Sequence, residues 1–177
     1  MTEIICAGYG GQGVLVMGHI IAFAGMDNGQ KVTWYPSYGS EMRGGTANCN
    51  VKISDDEIAS PYAKHPDILI SMNEVSLDKF EPKIKQGGLL VVNSSLCGTE
   101  RSFRSDIRVI KVPASDIANS MGNPRGTNIV ALGAVVRASG MFDEDFFKAE
   151  IDKFFAAKGK TNPLNAKCFD EGAACAK

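Results

Sequence analysis

Two stretches of this chain carry residue types whose spacing suits chemistry. The first, Gly8-Tyr9-Gly10-Gly11-Gln12-Gly13, satisfies G-x-G-x-x-G and lies between a short apolar run, Ile4 to Ala7, and a longer one, Val14 to Ala24. Glycines there permit a sharp turn and close backbone approach, and the free N–H groups at a helix start can hold a phosphate or a carboxylate. A dinucleotide site also needs an acidic side chain at the end of the second strand to hold ribose hydroxyls. That end reads Trp34-Tyr35-Pro36-Ser37, and Asp27 and Asn28 precede the second strand, at its opposite end. Three readings stay open: a dinucleotide, a different anion or an oriented partner group, and a purely structural turn.

The second stretch is Pro36-Ser37-Tyr38-Gly39-Ser40-Glu41-Met42-Arg43-Gly44-Gly45. Arg43 offers a planar fork for phosphate or carboxylate, and Glu41 can orient it or accept hydrogen bonds from a ligand. An ordinary exposed ion pair explains the same two charges. Both loops follow strands, so parallel strands would open them at the same carboxyl edge of the sheet, where α/β folds bind ligands. Other candidates are weaker. His65 reads as a solvated side chain before Pro66, Asp55-Asp56-Glu57 as a solvated acidic turn, and no nucleophile, base and orienter triad stands out. Arg125-Gly126-Thr127-Asn128 can hold an anion at a helix start, although capping by Asn128 explains it equally well.

The elements that must position these loops alternate. Ile4 to Ala7, Lys31 to Tyr35 ending at Pro36, Asp67 to Met72, Leu89 to Val92 and Arg108 to Val112 read as strands, several of them buried on both faces. Helices follow from Val14 to Ala24, from Asn73 capping Glu74 to Phe80, from Ser115 toward Met121, and from Asn128 through Val136. Phe147, Ile151, Phe154 and Phe155 line one face of a later helix, and Asn162-Pro163 can open a last one containing Cys168 and Cys175. From Thr46 to Ile53 apolar and polar residues alternate, which marks a strand wet on one face, antiparallel or near an edge. The expected fold is therefore α/β, a three-layer α/β/α sandwich on a mixed, mostly parallel sheet, with a Rossmann-like glycine loop after the first strand.

Composition bounds the rest. The 177 residues are 44% hydrophobic and 22% charged, enough for one domain over residues 1–177 that buries ~70% of its unfolded surface. With 19 basic and 20 acidic side chains the net charge is -1, which leaves no overall field for nucleic acid or an anionic membrane. Val14 to Met26 is too short to span a bilayer, and Met1-Thr2-Glu3 lacks the positive start of a secretory signal, so the chain is expected in the cytoplasm. Its five cysteines, Cys6, Cys49, Cys97, Cys168 and Cys175, are scattered without a Cys-x-x-Cys pair and read as reduced thiols, not as metal or cluster ligands.

At the two loops the sequence resembles the gamma subunit of the 2-oxoacid:ferredoxin (acceptor) oxidoreductases. Gly8 to Val14 followed by Pro36 to Cys49 is specific in combination, and the likeness continues through Pro66-Asp67, Met72-Asn73, Leu77 to Phe80, Gly87 to Leu89, Asn93 to Ser95 and Asn128 to Gly133. The wording from Tyr38 to Cys49 is closest to the 2-oxoglutarate and branched-chain 2-oxoacid members. The resemblance implies one small subunit of a complex that decarboxylates a 2-oxoacid, with 2-oxoglutarate the first choice, passes electrons to ferredoxin and transfers the acyl group to coenzyme A. It places thiamine diphosphate, Mg and the iron–sulfur clusters in partner subunits and leaves this chain inactive alone. It also points to Gly8, Gly10, Gly11, Gln12, Gly13, Tyr38, Glu41, Arg43 and Gly44 as the residues on the coenzyme A side of the site, with no catalytic or metal-ligating residue of its own. The rival roles are a noncatalytic assembly subunit of that complex and a stand-alone nucleotide-binding α/β protein.

Overall fold

The computed structural model describes residues 1–38, 45–97 and 100–176. Its frame is a six-stranded sheet: β1 (Thr2–Tyr9), β2 (Lys31–Tyr38), β3 (Thr46–Ser54), β4 (Ile68–Ser71), β5 (Leu89–Asn93) and β6 (Arg108–Val112), in the spatial order β2-β3-β1-β4-β5-β6. β1, β4, β5 and β6 pair in parallel, whereas β3 is antiparallel to both β1 and β2. Five strands thus run one way and β3 runs against them. The sheet is mixed and mostly parallel, as expected.

Five helices cover one face: α1 (Val14–Asp27), α3 (Ala114–Ser120), α4 (Thr127–Ser139), α5 (Glu144–Ala156) and α6 (Leu164–Ala174). The other face carries α2 (Glu74–Phe80) and a short 3-10 turn, Glu81–Lys83, packed on Ile5, Leu69 and Leu90. The three layers are present but lopsided. β4 and β5, buried along their whole length, are the continuous apolar runs that a parallel sheet covered on both faces requires.

Several local expectations change. β2 does not stop at Pro36 but continues to Tyr38; it pairs only with β3, and an edge strand tolerates the missing N–H. The polar face of β3 is not wet: Asn48 and Lys52 are buried, because Lys52 Nζ lies 2.8 Å from Glu3 Oε1, its neighbour across the ladder, and Asn50 Oδ1 accepts a hydrogen bond from Ala63 N on the chain folding back over it. Asn73 caps α2 as expected, accepting from Ser76 N at 2.9 Å. Ser115 caps nothing. It sits in the first turn of α3, where Asn93 Oδ1 accepts from its N–H and Asn93 Nδ2 donates to its hydroxyl. Asn128 is likewise inside α4, whose start has no side-chain cap. Asn162 Oδ1 accepts from Leu164 N ahead of α6, which holds Cys168 but ends before Cys175.

α4 is buried from Asn128 to Val136, the result expected of a helix with apolar side chains on every face. α6 closes over it at backbone contact. A Cβ on Gly133 would stand 2.0 Å from Phe169 O, and one on Gly172 would stand 1.8 Å from Val130 O. No rotamer relieves a clash with a main-chain oxygen. Gly172→Ala should therefore cost about 3 kcal/mol and lower the thermal midpoint by roughly 6–12 °C, read by a circular-dichroism melt; an unchanged midpoint would mean that the two helices can separate freely.

Candidate functional site

β1 and β2 run in the same direction, so Tyr9 and Tyr38, where they end, lie at one edge of the sheet, the carboxyl edge. Gly10 N donates to Gly45 O at 3.0 Å and ties the first loop to the end of the second. From β1 the chain leaves through α1 on one face, and from β4 it leaves through α2 on the other, moving across the sheet in opposite senses. Such a reversal opens a crevice beyond the strand ends. The glycine turn stands beside it. Gly11 and Gly13 have φ of +97° and +73°, a region that favours glycine, and Gly13 stands at the N-cap of α1 with no side chain capping the helix.

The loop's own hydrogen bonds sort its donors. Gln12 Oε1 accepts from Tyr9 N at 2.6 Å, Gln12 Nε2 donates to Met72 O at 3.1 Å, and Gln12 N donates to Tyr9 O. Tyr9 and Gly10 N–H are therefore spent on the protein. Among the described residues the N–H groups of Gly11 and Gly13 have no partner, and the first turn of α1 follows them. Gly8 is needed for packing: its Cβ would stand 2.6 Å from Gln12 Oε1 and 2.9 Å from Met72 Cβ.

Two cavities flank the turn. One, about 370 Å³, lies between Gly10, Gly11 and Gly13 on one side and Tyr38 and Ala47 on the other. The second, about 420 Å³, is bounded by Gly11, Gln12, Gly13 and Val16 and, opposite them, by Leu96, Ser115, Arg125, Thr127 and Asn128. It places the start of α4 beside the start of α1. A Cβ on Gly13 would stand 2.7 Å from Asn128 Nδ2, so only glycine lets the two helices come this close. Asn128 is 6% exposed, yet its Oδ1 is buried without a partner. Arg125 is exposed and makes no ion pair among the described residues. Past Arg125 and Phe155 a further cavity of about 490 Å³ runs toward Lys160 and Asn162.

The structure thus brings together Gly8, Gly10, Gly11, Gln12, Gly13 and Tyr38, while Glu41, Arg43 and Gly44 lie outside the described residues, on the segment joining Tyr38 to Gly45. Arg125, Thr127 and Asn128, which the sequence left open between an anion site and ordinary capping, line the same cavity. The available signal was a lone Asn opening an otherwise apolar helix. The dinucleotide reading loses ground, because β3 separates β1 from β2 and the described end of β2, Ser37-Tyr38, carries no acid. Asp27 lies at the far end of α1, paired with Lys153.

The remaining reactive side chains do not complete a nucleophile. Burial, reinforced by Glu74, pushes the Cys97 thiol up to about 12, so it stays protonated at neutral pH. Cys6 and Cys49 face each other across β1 and β3; their mutual hydrogen bond raises Cys6, with burial adding to it, and lowers Cys49. Burial lowers His19, which stacks on Trp34, and His65 is exposed as expected. Among the described residues no group of three or more His, Cys, Asp or Glu side chains is placed to hold a metal ion, and no helix is long and apolar enough to cross a membrane.

Comparison with known proteins gives this geometry its context. The sequence profile of the pyruvate ferredoxin/flavodoxin oxidoreductase family matches residues 3–175. The chain is 40% identical to ketoisovalerate oxidoreductase subunit VorA of Methanothermobacter thermautotrophicus, over 99% of this chain but only 36% of that protein, so it spans about a third of that relative's length. It is 36% identical to 2-oxoglutarate synthase subunit KorC of Methanocaldococcus jannaschii, over 99% of this chain and 94% of that one. Among solved structures it superposes on a keto/oxoacid ferredoxin oxidoreductase gamma subunit from Geobacter sulfurreducens, with a TM-score of 0.79, 28% identity and coverage of 99% and 98%. It also superposes on 31% of a chain of the 2-oxoglutarate:ferredoxin oxidoreductase from Magnetococcus marinus, solved with 2-oxoglutarate, coenzyme A and succinyl-CoA bound; the TM-score is 0.86, the identity 27%, and 99% of the present chain is covered. With a family match along nearly its full length and a KorC relative matched end to end, the chain belongs to the pyruvate ferredoxin/flavodoxin oxidoreductase family.

Proposed function

We propose that this chain is the gamma subunit of a cytoplasmic, thiamine diphosphate-dependent 2-oxoacid:ferredoxin oxidoreductase, and that it forms the coenzyme A side of the active site. The observation that carries the reading is the meeting of two uncapped helix starts, α1 and α4, at one cavity that Arg125 and Asn128 also line. Unpaired N–H groups at the positive end of each helix and a permanently charged guanidinium suit a phosphate. Coenzyme A carries such phosphates. The oxidised substrate is a 2-oxoacid of the 2-oxoglutarate or branched-chain class, a choice supported by the KorC and VorA relatives.

On this reading thiamine diphosphate with Mg supplies the decarboxylation chemistry from a partner subunit, and iron–sulfur clusters in partners carry the electrons to ferredoxin. This chain's residues bind and orient. Gly11, Gly13 and the first turns of α1 and α4 donate to the anionic part of the ligand, and Arg125 pairs with it. Arg43 and Glu41, which the resemblance assigns to the same ligand, lie outside the described residues, and Tyr38 walls the neighbouring cavity. Closing such a surface over the partner's site excludes water from the acyl transfer.

Three results test the reading. The isolated chain should show no turnover with 2-oxoglutarate or 2-oxoisovalerate, coenzyme A and a viologen dye, and should gain it with thiamine- and cluster-bearing partners; robust turnover alone would sink the proposal. In the assembled enzyme Arg125→Ala and Arg43→Ala should each raise the coenzyme A requirement roughly ten- to a hundredfold, the equivalent of a charge-assisted contact worth ~1.5–3 kcal/mol. If both instead weaken subunit association and leave coenzyme A untouched, the chain is an assembly subunit. Asn128→Leu removes a buried acceptor that has no partner among the described residues, so it should raise the thermal midpoint by roughly 2–4 °C per ~1 kcal/mol recovered. A lower midpoint would show that the amide serves the fold.

A further inference from the structure

We propose that Gln12 is a positioning residue: its side chain latches the glycine turn to the end of β4 and fills the crevice between β1 and β4, which holds the Gly11 and Gly13 N–H groups toward α4. The inference rests on the coenzyme A reading above. One amide here serves three partners on two loops. Oε1 accepts from Tyr9 N at 2.6 Å and from Asn73 Nδ2 at 3.3 Å, and Nε2 donates to Met72 O at 3.1 Å. Asn73 is in turn the cap of α2. The turn is therefore anchored to the helix layer on the opposite face of the sheet.

This arrangement accounts for two facts that a ligand-contact role for Gln12 leaves aside. Gly8 must lack a Cβ because that atom would stand 2.6 Å from Gln12 Oε1, so the bare glycine makes room for the protein's own side chain, not for a ligand. And the reversal of strand order at β1 and β4, where open α/β sheets offer their usual crevice, is occupied by the Gln12 amide and its hydrogen bonds. A phosphate-bearing ligand is left the other flank of the turn, beside Arg125 and Thr127. Binding is then weakened by the fraction of molecules in which the turn is out of place.

The test uses the assembled enzyme, with coenzyme A affinity measured by titration calorimetry and the thermal midpoint recorded beside it. Gln12→Met keeps the unbranched shape and removes all three bonds; it should weaken coenzyme A about tenfold or more. Gln12→Glu retains an acceptor for Tyr9 and Asn73, but its carboxylate repels Met72 O and the anionic ligand; once protonated it donates to Met72 O as the amide does, so its affinity should approach the parent's as pH falls, which that of Gln12→Met should not. Should Gln12→Met prevent assembly, Asn73→Ser asks the same question from the other end, because serine still caps α2 but cannot reach Gln12; a loss of about two- to threefold is expected. Affinity of Gln12→Met within twofold of the parent, or losses in the Met and Glu variants that stay equal at every pH and merely track the midpoint, would overturn the assignment. Arg125→Ala separates this failure from that of the underlying reading: if it leaves coenzyme A binding intact, the ligand is not held at this edge, whereas if it weakens binding and Gln12→Met does not, only the positioning role falls.

Discussion

The site depends on a missing atom. Two helices can turn their N-termini toward one cavity only if nothing stands between their first turns, and here the place a Cβ would occupy on Gly13 is 2.7 Å from Asn128 Nδ2. Gly13 is also in the left-handed region at the N-cap of α1, where a side chain would be strained as well as crowded. Glycine at this point does two things at once: it lets the chain reverse from β1 into α1, and it lets α4 approach. The unpaired N–H groups of both helices then face the same space, with Arg125 at its rim.

The rest of the fold holds that contact in place. α4 is pinned from behind by α6, whose backbone it touches through Gly133 and Gly172, and from the front by the sheet through β5 and β6. α1 lies across β3, and Gly18 leaves the space that Cys49 fills, since a Cβ there would stand 2.3 Å from its Sγ. Insertion of β3 between β1 and β2 moves the end of β2 one strand away from the glycine turn. A glycine pattern shared with dinucleotide sites is thereby set where the described end of the second strand, Ser37-Tyr38, carries no acid. The same motif can serve a different anion because its neighbours, and not its glycines, choose the ligand.

The element order was legible in the sequence because buried strands and capped helices leave strong local marks: Leu89 to Val92 reads as a covered strand, and Asn73 reads as a cap. What stayed hidden was decided by tertiary contacts. Alternation from Thr46 to Ile53 located β3 as antiparallel or near an edge, but not that Lys52 would be buried against Glu3, since that pairing depends on register across the sheet. Ser115 and Asn128 have the residue types of caps and cap nothing; Asn93 arrives from β5 to serve the first, and Asn128 packs on Gly13. The glycine loop was visible as a site, whereas its opposite wall, Arg125 to Asn128, lies more than a hundred residues away and meets it only through the fold. Gln12 looked like a ligand contact for the same reason: its partners Met72 and Asn73 come from β4 and the start of α2.

The most direct measurement is amide hydrogen exchange on the assembled enzyme with and without coenzyme A. The account predicts new protection at residues 11–16 and 125–128, the facing starts of α1 and α4, with little change at the amino edge of the sheet, where another cavity of about 420 Å³ lies beside Lys85 and Arg108. Protection at that amino edge, or none on this chain, would contradict it.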